Sequence, residues 1–239
     1  MHIAAMQYLG GKHRIARKIA AHLEALTTTH THTIEDRCCG ALSVAAAITH
    51  RPLVVSDANP ALICTLRAVQ SGWVPPDVLT EANYARLKAV KDPTDPMTAF
   101  AAAGCSFGGK WWGGYARGAG DYAAASSRSL CRKLASMRDV VILCRDYRDD
   151  PPAPGTGGYL DPPYADSVGY PACGKFDHVE FWRVMTEWAN RGVLVRVSEY
   201  AAPEGWIAAE MFGVVQALGV SRGAEKKRAD ILWRLSDAR

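Results

Sequence analysis

The sequence predicts an α/β fold: a sheet with helices on both faces, ending in an antiparallel C-terminal strand pair, plus a small helical and loop insertion. Three observations predict it. Ile34 opens a short β-like entry to a small-residue loop at 38–43, and Leu53-Val54-Val55-Ser56-Asp57 reads as a second strand with an acidic end. That order of strand, tight loop, helix and strand suits a doubly wound sheet. Val140-Val141-Ile142-Leu143 is a continuous apolar run and reads as a buried strand. Residues 211–218 and 231–235 read as the closing pair, with the charged turn Glu225-Lys226-Lys227-Arg228 between them.

The whole chain sets the bounds. Its 239 residues suffice for one large α/β domain with an insertion or for two small domains. At 49% hydrophobic and 22% charged, the composition is that of an ordinary globular protein. No apolar run reaches the roughly 18 residues that cross a bilayer. Lys12, His13, Arg14, Arg17 and Lys18 interrupt any apolar signal core, so the expectation is a cytoplasmic chain with no membrane partner. Seven cysteines match no paired zinc-ligand spacing and read as free thiols. His30 and His32 have no acidic or thiol partner at ligand spacing, so no metal is expected. A net charge of +4 permits an anionic partner.

Taken in order, Gly10-Gly11-Lys12 precedes a helix marked by Ile15, Ile19, Leu23 and Leu26. Two glycines ahead of a helix allow close approach of a ligand, and Lys12 can offer a cation to a carboxylate. The loop Arg37-Cys38-Cys39-Gly40-Ala41-Leu42-Ser43 leads to an Ala-rich helix at 44–48. The carboxylate of Asp57, 17 residues beyond Gly40, is placed to accept ribose hydroxyls. A helix is predicted from Pro60 to Ser71, ended by Gly72 and Pro75-Pro76. Helical spacing returns at 78–90 and at 97–103.

Residues 105–118 then interleave aromatics, glycines and the cations Lys110 and Arg117 without a helical or strand period. Such a passage can contact bases with its rings and the sugar-phosphate chain with its cations; the alternative is an aromatic loop packed on the domain. Asp121 caps a helix reaching about Met137, and Arg128, Arg132, Lys133 and Arg138 bind phosphate or form a solvated face. Asp146 and Tyr147 follow the 140–143 strand, at the end where open sheets bind ligands. Residues 165–175 lack periodicity, Asp177 caps a helix carrying Phe181, Val184, Met185 and Trp188, and 192–197 reads as another strand.

The stretch Gly158-Tyr159-Leu160-Asp161-Pro162-Pro163-Tyr164 carries the chemistry. Two prolines stiffen the backbone and remove two N–H groups, leaving carbonyls without the partners of a strand or helix. A carboxylate beside a rigid carbonyl can hold an amino group that offers two protons, and an aromatic ring can stack on the flat molecule bearing it.

Asp161-Pro162-Pro163-Tyr164 resembles the catalytic tetrapeptide of the Dam-like DNA N6-adenine methyltransferases. Gly10-Gly11-Lys12 resembles the motif that precedes the cofactor loop in that family. Cys38 to Ser43 is similar to its Pro-Phe-x-Gly-Gly-Gly type loop, with Arg37 where proline is usual and Leu42 where glycine is common. Ser56-Asp57-Ala58-Asn59 resembles its Asn-Asp-x-Asn.

The resemblance implies a Rossmann-like sheet that binds S-adenosylmethionine, formed by 1–70 and 139–239, with 71–138 an inserted target-recognition region. It implies Asp161, Pro162 and Tyr164 as catalytic residues. Cofactor contacts would come from Tyr8, Gly10, Gly11, Lys12, Cys38, Cys39, Gly40, Ser43, Asp57, Asn59, Asp146, Tyr147 and Asp161. Phe107, Lys110, Trp111, Tyr115, Arg117 and Arg128 would meet double-stranded DNA. The implied reaction is methyl transfer to N6 of a flipped-out adenine by a monomer. The alternatives are an N4-cytosine or RNA-base amino-methyltransferase and a non-catalytic DNA-binding or assembly module.

Overall fold

The structure is a computed structural model that describes residues 10–26, 33–50, 52–117, 121–165, 176–216 and 227–236. Seven strands form one sheet: β1 (Ile34–Asp36), β2 (Leu53–Asp57), β3 (Val141–Cys144), β4 (Gly157–Leu160), β5 (Arg196–Glu199), β6 (Trp206–Gln216) and β7 (Lys227–Leu235). Their spatial order is β3-β2-β1-β4-β5-β7-β6. The first five pair in parallel. β7 is inserted between β5 and β6 and runs antiparallel to both. After β1 the chain builds outward through β2 and β3; after β4 it builds the other way. The connections therefore diverge beyond the carboxyl ends of β1 and β4, and a crevice opens at that reversal.

Alternation of side chains across the strands separates two cores. Tyr159 and Leu232 join the larger one, with α1 (Ala16–Ala25), α2 (Pro60–Gln70), α3 (Glu81–Val90) and α5 (Tyr122–Ala135). Their neighbours Leu160 and Trp233 belong to the other, with Phe181, Val184, Met185 and Trp188 of α6 (His178–Asn190). Helices thus cover both faces. Within 71–138, Tyr84, Leu87, Phe100, Leu130 and Leu134 share the larger core with β1 and β2.

Local signals explain most of these elements. The Asn59 side chain accepts from the N–H groups of Ala61 and Leu62 to start α2. Asp121 does the same for Ala124, and Asp177 for Val179 and Glu180. The helical stretch predicted at 97–103 is α4 (Met97–Ala99) continued by a wider π turn, Phe100–Gly104, all of it buried.

Several expectations are corrected. The Ala-rich helix at 44–48 is only a 3₁₀ turn, Ala45–Ala47, because the chain extends again at Ile48 and the Glu24 carboxylate takes up the following N–H groups of Thr49 and His50. The 140–143 run is not a buried strand: β3 lies at the edge of the sheet and Val141 is 50% exposed. β5 is four residues long and starts at Arg196 rather than Gly192, while β6 starts earlier than predicted, at Trp206. Lys227 and Arg228 lie in β7 rather than in a turn. The predicted aperiodic stretch 165–175, apart from Ala165, and the pair His30 and His32 lie outside the described residues.

Leu42 is fully buried yet holds φ at 59°, a conformation that favours glycine. Leu42→Gly would relieve about 1 kcal/mol of backbone strain but forfeit a core side chain worth about 3 kcal/mol. The expected result is a net loss of roughly 1–2 kcal/mol, read as a lower denaturant midpoint. Among the described residues no helix is long and apolar enough to cross a membrane.

Candidate functional site

A cavity opens at the carboxyl ends of β1, β2, β3 and β4, where the strand order reverses. Gly10, Gly11 and Lys12 reach it ahead of α1; residues 36–41, Ser43 and Val44 line it after β1, and Asp57, Ala58 and Asn59 after β2. Residues 145–148 follow β3, and Tyr159, Asp161 and Pro163 complete the wall from β4, with Phe176 and Asp177 at the start of α6. Side chains far apart in sequence converge because parallel strands deliver all their carboxyl ends to one edge of the sheet.

Three acids dominate one end. Asp161 Oδ1 lies 2.7 Å from Lys12 Nζ, an ionic contact between two largely buried groups. Lys12 also donates to the Gly10 carbonyl at 3.1 Å and sits 4.5 Å over the Tyr164 ring. Burial pushes the Asp161 carboxyl up, and the Lys12 ammonium opposes that shift. Asp36 is 2% exposed, and its Oδ1 has no hydrogen-bond partner among the described residues. Burial, and then the charge of Asp161, push its carboxyl well up. Asp57 Oδ2 accepts from the Gly40 N–H at 3.1 Å and Oδ1 from the Asn59 N–H at 3.0 Å. Its carboxyl is likewise raised by burial. The whole wall carries Asp36, Asp57, Asp146, Asp161 and Asp177 against Lys12, Arg37, Arg145 and Arg148, so a place for positive charge on a ligand is confined to the end where Asp36, Asp57 and Asp161 meet.

The loop between β1 and the 3₁₀ turn is tied down from both sides. Gly40 takes a positive φ of 47° as its N–H turns to Asp57. Lys133 of α5 donates to the Ala41 carbonyl at 2.5 Å, and burial lowers this lysine to about 8. Arg37, fully buried, is held by Glu35 at 2.7 Å and lies 5.2 Å over the Trp188 ring. At the far end Asp146 pairs with Arg148, and Tyr147 packs edge-on against Phe181 at 5.2 Å. The described residues hold no group of His, Cys, Asp and Glu arranged around a possible metal ion, and the six described cysteines are free.

The structure therefore brings Gly10, Gly11, Lys12, Cys38, Cys39, Gly40, Ser43, Asp57, Asn59, Asp146, Tyr147 and Asp161 to one cavity. Asn59 is also the cap of α2, which engages its side-chain oxygen. Tyr8 lies outside the described residues. Pro162 and Tyr164 are not on the cavity wall; the Tyr164 hydroxyl donates to Asp230 at 2.9 Å and its ring meets Tyr200 edge-on.

The residues of the aromatic passage separate. Phe107 is 64% exposed, and Lys110 and, on α5, Arg128 are also exposed. Arg117 is exposed but ion-paired with Glu81. Trp111 and Tyr115 turn inward: Trp111 packs on the larger core, and Tyr115 donates to the Leu79 carbonyl at 2.7 Å and stacks edge-on against Tyr84. For Trp111 and Tyr115 this inward packing, with a bridge between Ser106 and Tyr115, is the packed-loop alternative.

Sequence reasoning missed Asp36 and Glu199, and gave Lys133 another role, on phosphate or in solvent. Asp36 had a local signal, an acid at the end of a predicted strand beside a small-residue loop. Lys133 and Glu199 act on chain segments 92 and 34 residues away, and no spacing rule reports that. No protein-family model matches the chain, and no curated protein matches it.

Proposed function

We propose that the chain is an S-adenosylmethionine-dependent DNA methyltransferase acting on N6 of adenine. The observation that carries this reading is that Asp161, the acid of the rigid Pro-Pro turn, faces the same cavity as Gly40, Asp57 and Asp146. That shared cavity supports an amine-holding corner set beside a crevice for a nucleoside. The sheet order, with its antiparallel β7 inserted beside β5, supports a doubly wound nucleotide-binding architecture. The exposed Phe107, Lys110 and Arg128, with the net charge of +4, support a nucleic-acid partner.

The residues present fit the cofactor. Asp57 retains lone pairs for ribose hydroxyls beyond its two backbone donors, Tyr147 offers an apolar wall for a purine, and the partnerless Asp36 oxygen offers an acceptor to an ammonium. When bound, S-adenosylmethionine supplies an electrophilic methyl on a sulfonium whose thioether leaves. The protein's work lies at the amine. Adenine N6 is a poor nucleophile because its lone pair is delocalised into the ring. The Asp161 carboxylate, which is on the cavity wall, accepts from that amine, which favours a pyramidal nitrogen with a localised pair; Pro162 lies off the wall and takes no part in this role. Asp161, with its raised affinity for protons, is positioned to take the proton that nitrogen sheds after transfer. In-line placement accounts for the rest, worth up to roughly 7–11 kcal/mol in favourable intramolecular cases.

Incubation with a labelled methyl donor and duplex DNA, followed by nucleoside analysis, tests the reading. The expected product is N6-methyladenine. Methylcytosine, or label in RNA only, would replace the substrate assignment; cofactor binding with no transfer to any nucleic acid would favour a non-catalytic module.

Charge linkage gives a second expectation. A carboxyl raised by burial keeps its proton above the ordinary range, and a cationic ligand favours its ionised form. Cofactor binding is therefore expected to release protons and to tighten as pH rises through the raised range of Asp36. Calorimetry in two buffers of different ionisation enthalpy counts the protons, and Asp36→Asn is expected to lower the count. Binding that is pH-independent with no proton release would remove Asp36 from the site.

A further inference from the structure

We infer that Glu199 is a positioning residue that ties the 161–165 turn to the sheet and so sets where the Asp161 carboxylate points; the inference rests on the amino-methyl transfer proposed above.

The turn has an uncommon shortage of tethers. Pro162 and Pro163 have no N–H, so after Asp161 the next backbone donors belong to Tyr164 and Ala165. The Ala165 N–H goes to Glu199 Oε2 at 3.2 Å. Glu199 is the last residue of β5, is 3% exposed, and accepts the Tyr200 N–H with its other oxygen at 2.7 Å. Its own carbonyl accepts from Trp233 Nε1 of β7 at 3.0 Å, which anchors it from the neighbouring strand. The two N–H groups thus meet the two oxygens of one carboxylate. Tyr200 adds an edge-on ring contact to Tyr164 at 4.5 Å, and the Tyr164 hydroxyl reaches Asp230 of β7.

Glu199 cannot act directly in the cavity that Asp161 faces, because it does not line it. It borders a separate hollow with His178 and Trp182, on the side of Ala165 and Tyr200. Its effect must pass through the turn. Burial pushes its carboxyl up to about 7, a cost that a neutral side chain would not carry. A glutamine has nearly the same shape but presents an NH₂ donor where one of the two N–H donors needs an acceptor. One tether is therefore lost without loss of volume.

The test uses the purified full chain, wild type and Glu199→Gln, with S-adenosylmethionine and a DNA duplex. Expected are a kcat reduced about 10- to 100-fold, as a displacement of the order of an ångström can cause, and a KM for S-adenosylmethionine within about threefold of wild type. Faster hydrogen exchange at the Ala165 amide is expected as well. Unchanged kcat would overturn the inference. So would a fall in kcat with a matching rise in KM and a lowered thermal midpoint, which marks general loosening. If Glu199→Gln does not fold, Glu199→Asp, one methylene too short to span the same gap, is read by the same split. The exchange measurement separates two failures. An inactive wild type whose Ala165 amide is exposed by the substitution would refute the proposed reaction but keep the tether.

Discussion

Asp161→Ala is expected to bind S-adenosylmethionine within a few-fold of wild type while losing about a thousandfold or more in methyl transfer. Two effects add. The substitution removes the acceptor for the amine and the base that takes its proton. It also leaves Lys12, 7% exposed, without its carboxylate partner 2.7 Å away. Loss of a partner from a buried pair costs about 3–5 kcal/mol in the most enclosed cases; here Asp161 keeps 19% side-chain exposure, so a smaller loss is expected. Asp161→Asn separates the effects. It keeps the shape but turns a donor toward the amine and toward Lys12, so transfer is expected to fail even where the thermal midpoint recovers. Single-turnover assays with labelled donor, run beside a binding titration, check both. Retained transfer of label to adenine would end the assignment of Asp161.

Asp57→Ala is expected to act on the other side of the reaction, weakening S-adenosylmethionine binding by about 100-fold. The basis is the loss of two hydrogen bonds to a charged group, each worth about 1.5–3 kcal/mol, discounted because water replaces part of them. A structural cost accompanies it. Asp57 also receives the Gly40 and Asn59 N–H groups, so its removal frees the tight loop and the residue that caps α2. A stability loss of about 1–3 kcal/mol follows from those orphaned donors. Asp57→Asn keeps one acceptor and is expected to recover about half of each effect. Calorimetric titration and denaturant midpoints measure the two terms separately. An affinity unchanged in both variants would move the ribose away from Asp57.

The two variants differ in what made their residues visible. Asp161 stands out in the chain because two prolines after an acid are locally unusual. Asp57 stands out because an acid ends an apolar strand. Glu199 also ends a strand, yet nothing near it in sequence shows that its carboxylate holds Ala165, 34 residues earlier. Lys133 read equally well as a solvated cation or a phosphate ligand; in the fold it is half-buried and ends on the Ala41 carbonyl. The rings of Trp111 and Tyr115 promised a contact surface; in the fold Trp111 packs on the larger core and Tyr115 against Tyr84 of α3.

By itself the sequence determined what depends on neighbours within one or two turns of chain. The helix caps at Asp121 and Asp177, the strand of 53–57, the stiff turn after Asp161 and the glycines ahead of α1 are of this kind, because backbone preference and side-chain period act over a few residues. Only the tertiary structure decided the order of the strands, the edge position of β3 and the partners of the buried charges. Those depend on which distant segments pack together, and the energy of a buried carboxylate is set by what stands opposite it rather than by what adjoins it in the chain.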